Sequence, residues 1–183
     1  MKRLFNAGAI SPGMAYSDYE REFKLLLQGD GDVVRRVIKS CDSDVHFNYL
    51  KILEKPFIVI RAAGSFGVDL VAIRGDVSFP IEVKASSSKL VHFSDSSGRA
   101  LKQAAELKGM CERANVFPLY AHRLKGVRGE DPWRVSTVEI DGLSGRNKTL
   151  HRAIPRVHIT KAGNIALNWD TGMALNKFIE YLC

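Results

Sequence analysis

The stretch from 57 to 85 constrains the chain most, because its hydrophobic period becomes that of strands. Residues 57–61 (FIVIR) and 68–74 (VDLVAIR) are short apolar runs rich in β-branched side chains. Gly75-Asp76 supplies a turn, and 78–85 (SFPIEVKA) reads as a third strand, with Pro80 expected at a strand start or an edge position. Side chains alternate along a strand, so Glu82 and Lys84 project from one face while Ile81, Val83 and Ala85 face the core. Asp69 lies at the start of the preceding strand, and a tight hairpin through Gly75 brings it alongside Glu82.

Two carboxylates and an ammonium then share one place. A Glu and a Lys two apart on a strand are ordinarily a solvated ion pair worth under about 1 kcal/mol. Here the pair interrupts a strand fit for burial, and another carboxylate sits at hairpin distance inside an apolar strand; buried charges need partners or a metal. With the main-chain carbonyl of Val83, Asp69 and Glu82 form an oxygen-rich nest suited to Mg²⁺ or Mn²⁺. Such a metal polarises a phosphate and sharpens a bound water, and Lys84 can position that water and offset charge in the transition state. The chemistry implied is metal-assisted phosphodiester hydrolysis.

The rest of the chain frames this hairpin. A helix is expected near 15–28, capped by Ser17 or Asp18, then helical stretches at 33–40 and 44–54 ending before Pro56. The Ser-rich segment 86–98 reads as a loop leading into a helix at 98–114, whose buried face is Leu101, Ala104, Ala105, Met110 and Cys111. Strands follow at 117–122 and 133–140, then a tail with strands near 156–168 and a helix near 172–182. A crossover from 85 to 117 through a helix implies an α/β fold with a central mixed sheet flanked by helices, in a single domain of residues 1–183. Residues 28–56 form a helical insertion in this reading, and 141–183 a C-terminal extension.

Lys and Arg outnumber Asp and Glu by 27 to 20, a net charge of +7 that suits a polyanionic partner. Cys41, Cys111 and Cys183 show no zinc-ligand spacing and read as reduced thiols. No apolar run approaches the roughly 18 residues needed to span a bilayer, so the expected setting is cytoplasmic, associated with the nucleoid, without a membrane partner.

The run Gly64-Ser65-Phe66-Gly67-Val68-Asp69-Leu70, followed by Ile81-Glu82-Val83-Lys84, resembles the signature of the PD-(D/E)XK, or restriction-endonuclease-like, nucleases. More narrowly it resembles the archaeal Holliday junction resolvases. There a YERE-type helix precedes an apolar strand ending in Arg-x-Ala-Gly-Ser, then x-Asp-Leu and Glu-Val-Lys. The corresponding residues are Tyr19-Glu20-Arg21-Glu22, Arg61-Ala62-Ala63-Gly64-Ser65, Asp69-Leu70 and Glu82-Val83-Lys84.

The resemblance implies a restriction-endonuclease-like core in which Asp69 and Glu82 hold the metal, Lys84 serves the water, Glu20 completes the acidic cluster and Ser65 contributes near the scissile phosphate. In that family the acidic helix runs directly into the first strand, whereas residues 23–56 intervene here, and the helix adjoining the strand offers His46 at the matching offset. A hard cation's preference for carboxylate oxygen favours Glu20 over His46.

Arg61, Lys89, Arg99, Lys102, Lys125 and Arg128 lie near the site as candidate phosphate contacts, and Gln103 could bond a phosphate or a metal water. No base-reading motif is present, so recognition by shape is expected. The implied activity is a structure-selective endonuclease on branched double-stranded DNA, acting as a homodimer because a four-way junction presents two symmetry-related strands to cut. A sequence-specific or repair nuclease of the same class is the nearest alternative. A non-catalytic DNA-binding protein keeping the fold is the alternative from another class.

Overall fold

A computed structural model describes residues 16–62, 68–93, 99–159 and 165–183. Three helices come first: α1 (Tyr16–Leu27), α2 (Gly31–Ile38) and α3 (Ser43–Lys51). The turn from α1 to α2 needs a glycine, since Gly29 has φ +69° and a Cβ there would meet the Ile52 carbonyl at 3.1 Å. Asp30 then caps α2, its carboxylate accepting from the N–H groups of Asp32 and Val33 at 3.1 and 3.0 Å.

The expected hairpin follows as β1 (Ile58–Arg61), β2 (Leu70–Arg74) and β3 (Val77–Ser86), each antiparallel to the next. β3 alternates buried and half-buried residues along its whole length. A crossover through β4 (Leu90–Phe93) and α4 (Arg99–Ala114) returns the chain to β5 (Leu119–Leu124), which lies parallel to β3 with Glu82 level with Tyr120 and Lys84 with His122. Pro80 is interior to β3, yet the register with β5 begins only at Ile81, so its missing N–H falls where that flank has no partner. β6 (Trp133–Ser136) and β9 (Met173–Ala174) complete a mixed six-stranded sheet in the order β1-β2-β3-β5-β6-β9. The C-terminal ends of β1, β3 and β5 therefore share one end of the sheet.

The core is the sheet face under α1, together with an aromatic group at the other end. Ile81, Val83, Ala121 and Trp133 are at most 1% exposed, and Phe79 packs against Phe57, Phe117 and Phe178 at centroid distances of 5.4, 5.8 and 5.7 Å. Full burial of each such ring stabilises by roughly 1.5–3 kcal/mol.

Four details depart from the sequence reading. The Ser-rich segment contains β4, which pairs with β8 (Ile165–Asn168); with β7 (His158–Ile159) they form a second, three-stranded sheet. The strand expected to reach 140 stops at Ser136, because Thr137 turns its N–H to the Pro155 carbonyl (2.9 Å) and its hydroxyl to that of Pro118 (2.7 Å). Helix α5 (Gly145–Ala153) lies where no element was expected, before α6 (Leu175–Leu182). Among the described side chains of α4 the buried pair is Leu107 and Cys111, one turn apart, while Ala105 is exposed and the side chain of Leu101 lies outside the described set. No described helix is long and apolar enough to cross a membrane.

Candidate active site

The hairpin brings its carboxylates together as expected. The Asp69 N–H donates to the Ile81 carbonyl at 2.9 Å, and the Asp69 carboxylate accepts from the Val83 N–H at 2.7 Å. Lys84 donates to the Glu82 carboxylate, and Asp69 and Glu82 act electrostatically on each other. The Glu82 side chain is 11% exposed and that of Lys84 25%.

Crowding two carboxylates in a partly desolvated place shifts their titration. Burial, assisted by the charge of Asp69 and opposed by Lys84, pushes Glu82 up to about 7. Burial also raises Asp69, opposed by the Val83 N–H and Lys84, while the charge of Glu20 adds to the rise. Ionising both carboxylates in this place is therefore opposed by burial and by their like charges. A hard divalent cation bound between them would offset that opposition and let both groups ionise. Among the described residues, no group of three or more His, Cys, Asp or Glu is placed to hold a metal. The oxygen donors at hand are Asp69, Glu82 and the Val83 carbonyl.

Glu20 reaches this neighbourhood from α1, which packs against β1, β2 and β3. Its carboxylate accepts from Arg61 at 2.7 Å and acts electrostatically on Asp69. His46 is turned to the Cys41 carbonyl at 3.2 Å, on a helix packed against α2 and α6. Of the two candidates for the fourth position, Glu20 is the one coupled to Asp69. Glu22, two residues on, is 6% exposed and accepts from Arg123 at 3.1 Å and from the Trp133 indole at 3.0 Å, pinning α1 to β5 and β6.

A cleft of about 360 Å³ opens beside Glu20, lined by Asp18, Glu20, Arg21, Lys24, Arg61 and Leu70. Arg21 and Lys24 were not among the residues expected from sequence. Lys24 could have been found, since it stands four residues from Glu20 on the same helical face. Tyr120, 3% exposed and level with Glu82, was also missed; burial and the Glu82 charge raise its phenol. Its position depends on parallel pairing, which has no local signal.

The expected DNA contacts fare unevenly. Lys89 is engaged by Asp170 at 2.7 Å and lies 5.5 Å from the Trp169 ring centre. Lys102 stands 3.9 Å from Glu106, and Gln103 is half-buried on α4. Lys125 lies 5.3 Å from the Tyr19 ring centre, and Arg128 is exposed. Arg99 opens α4, with its side chain outside the described set, and Ser65 lies outside the described residues altogether.

No family model matches the chain, and no curated protein matches it in sequence. Among solved structures it is similar to Hjc, a Holliday junction resolvase from the archaeal hyperthermophile Archaeoglobus fulgidus. The TM-score is 0.48 and the identity 16%, over 91% of this chain and 99% of that one.

Proposed function

We propose that this chain is a metal-dependent endodeoxyribonuclease that cuts branched DNA at four-way junctions. The observation that carries the reading is the convergence of Asp69, Glu82 and Lys84, the Asp69 carboxylate accepting from the Val83 N–H and the Glu82 carboxylate from Lys84. Asp69, Glu82 and the Val83 carbonyl would hold Mg²⁺ or Mn²⁺. When bound, the cation polarises the scissile phosphate and acidifies a water. Lys84 would orient the water and offset negative charge at phosphorus as a P–O bond forms to the water, which gives up a proton to solvent, and the P–O bond to the leaving alkoxide breaks, the alkoxide taking up a proton from solvent. Glu20 steers Arg61, and Arg61, Arg21 and Lys24 line the cleft that receives the flanking phosphates.

The junction preference follows from the motif resemblance, and it calls for two active sites related by a two-fold axis, hence a homodimer. The face of β1 and β2 on which Ile58, Ile60 and Ile73 are 68, 53 and 40% exposed offers an apolar surface for it. The mass of the wild-type chain in sedimentation equilibrium checks that assembly. For the activity, cleavage of a labelled four-way junction is compared with linear duplex of the same sequence in Mg²⁺. The junction should be cut preferentially, and Asp69→Asn should lose cutting while retaining binding. Equal cutting of both substrates would overturn the junction preference. No cutting by the wild type with either metal would overturn the enzyme.

A further inference from the structure

Helices α2 and α3 come from residues 28–56, which the Asp69, Glu82 and Lys84 site does not use. Their placement follows from α1. Its first half lies at the C-terminal end of the strands, where Glu20 meets Arg61 at 2.7 Å, and it finishes at the opposite end, where the Leu27 carbonyl accepts from the Phe57 N–H at 2.9 Å. α2 therefore climbs back toward the site, and its far end is tied down there. The Gly129 N–H donates to the Ser40 carbonyl at 2.7 Å, and the Asp42 N–H donates to the Gly129 carbonyl at 2.9 Å. Gly129 lies in the loop after β5, whose Lys125 N–H donates to the Ser86 carbonyl at the end of β3 at 2.8 Å.

Arg36 on α2 and Lys39 at its C-cap, three apart and both exposed, thus stand beside Lys125 and Arg128 at the end of the sheet that carries Glu82 and Lys84. The other cation of α2, Arg35, is held by Asp32 at 2.6 Å. Arg36 comes within 3.9 Å of Glu22, a carboxylate already bonded to Arg123 and Trp133. Among the described residues, no carboxylate lies within ion-pair distance of Lys39, Lys125 or Arg128. The exposed Asp42 and Asp44, at the N-cap and in the first turn of α3, bound this strip where the Asp42 N–H meets Gly129.

Resting on the nuclease reading above, we infer that α2 is a DNA-binding element: with the loop after β5 it forms a cationic strip that holds the phosphate backbone of a duplex arm leading away from the cleavage site. A strip of surface cations that neutralises phosphates releases counterions, so each lost contact lowers the salt dependence of binding by about one power of concentration.

The test measures binding of a fluorescent four-way junction by anisotropy at several salt concentrations, for wild type, Lys39→Glu, Arg36→Gln and Lys125→Glu. Single-turnover cleavage at saturating DNA is followed in parallel, and thermal melts check folding. Lys39→Glu should bind several-fold more weakly, with the slope of log Kd against log salt lower by about 1 and cleavage at saturation unchanged; Arg36→Gln should act in the same direction. Arg152→Glu on α5 is the control for a general loss of positive charge. The inference fails if Lys39→Glu binds like wild type while Lys125→Glu is weakened, or if Arg152→Glu weakens binding as much as Lys39→Glu. Failure of the nuclease reading looks different, since the wild type itself would then cut no junction in Mg²⁺ or Mn²⁺, whatever the variants do to binding.

Discussion

Glu20 and Glu22 stand two residues apart in the same run, and their surroundings predict opposite consequences of removing them. The Glu22 side chain is 7% exposed and serves as acceptor for both Arg123 and the Trp133 indole. Glu22→Ala leaves that indole N–H without its acceptor and leaves Arg123, itself 16% exposed, with the Leu124 carbonyl as its remaining bonded acceptor. Breaking a buried pair from one side costs about 3–5 kcal/mol. For a chain of this length that lowers Tm by on the order of 10 °C. Glu22→Gln keeps an acceptor for the indole and should cost about half as much. The Glu20 pair ends on Arg61, which is 61% exposed, so Glu20→Ala should cost no more than about 1 kcal/mol. Its effect belongs to the reaction: losing a carboxylate coupled to Asp69 should slow junction cleavage at least about tenfold, equivalent to roughly 1.4 kcal/mol of barrier. Melting by circular dichroism and single-turnover cleavage are measured on both variants. A Glu22→Ala protein melting within about 2 °C of wild type, or a Glu20→Ala protein as destabilised as Glu22→Ala, would refute the assignment.

Two further outcomes follow from buried carboxyl groups. In the metal-free protein the carboxyl of Glu82 titrates near 7, above its ordinary 4.5. The unfolded chain gives up that proton first, so this group's contribution to stability is fully present below pH 4.5, declines as pH rises to about 7, and is level above that. The loss is at most about 3 kcal/mol; urea titrations should show it in wild type and not in Glu82→Gln, and parallel pH profiles would count against it. Asp131, 2% exposed, accepts from the Tyr49 hydroxyl (2.9 Å), the Trp133 N–H (2.9 Å) and the Asn176 N–H (2.7 Å), joining α3, β6 and α6. Asp131→Ala should therefore destabilise by about 3 kcal/mol through three orphaned donors, read as a lower urea midpoint at unchanged slope.

What could be read from the sequence was whatever local pattern decides. The alternation in 78–85 set the two faces of β3, and the turn at Gly75-Asp76 set the hairpin, so Asp69, Glu82 and Lys84 were legible as one site. β4 was not, since its partner β8 lies far along the chain and its neighbours are serines that resemble a loop. α5 was hidden for another reason: of its residues only Leu150 and His151 are buried, too few to impose a helical period. The separate duties of Glu20 and Glu22 could not be told apart either, because what differs is the partner each meets, Arg61 on β1 or Arg123 and Trp133 on β5 and β6.

The site depends on register more than on any single residue in it. Leu70 pairs with Ile81, and that alignment lets the Val83 N–H reach the Asp69 carboxylate. Moving the register of β3 by one residue would turn Glu82 and Lys84 onto the face under α1 and expose Ile81 and Val83. The apolar residues of β3 and its polar residues are therefore held by the same alignment. Packing beneath α1 fixes the alignment that holds Asp69 and Glu82 together, while Glu82 itself is desolvated on the other face of β3, where it lies level with the buried Tyr120. In the metal-free chain this desolvation opposes the ionised form of the site, and a divalent cation bound there would relieve that opposition, coupling metal affinity to the stability of the hairpin.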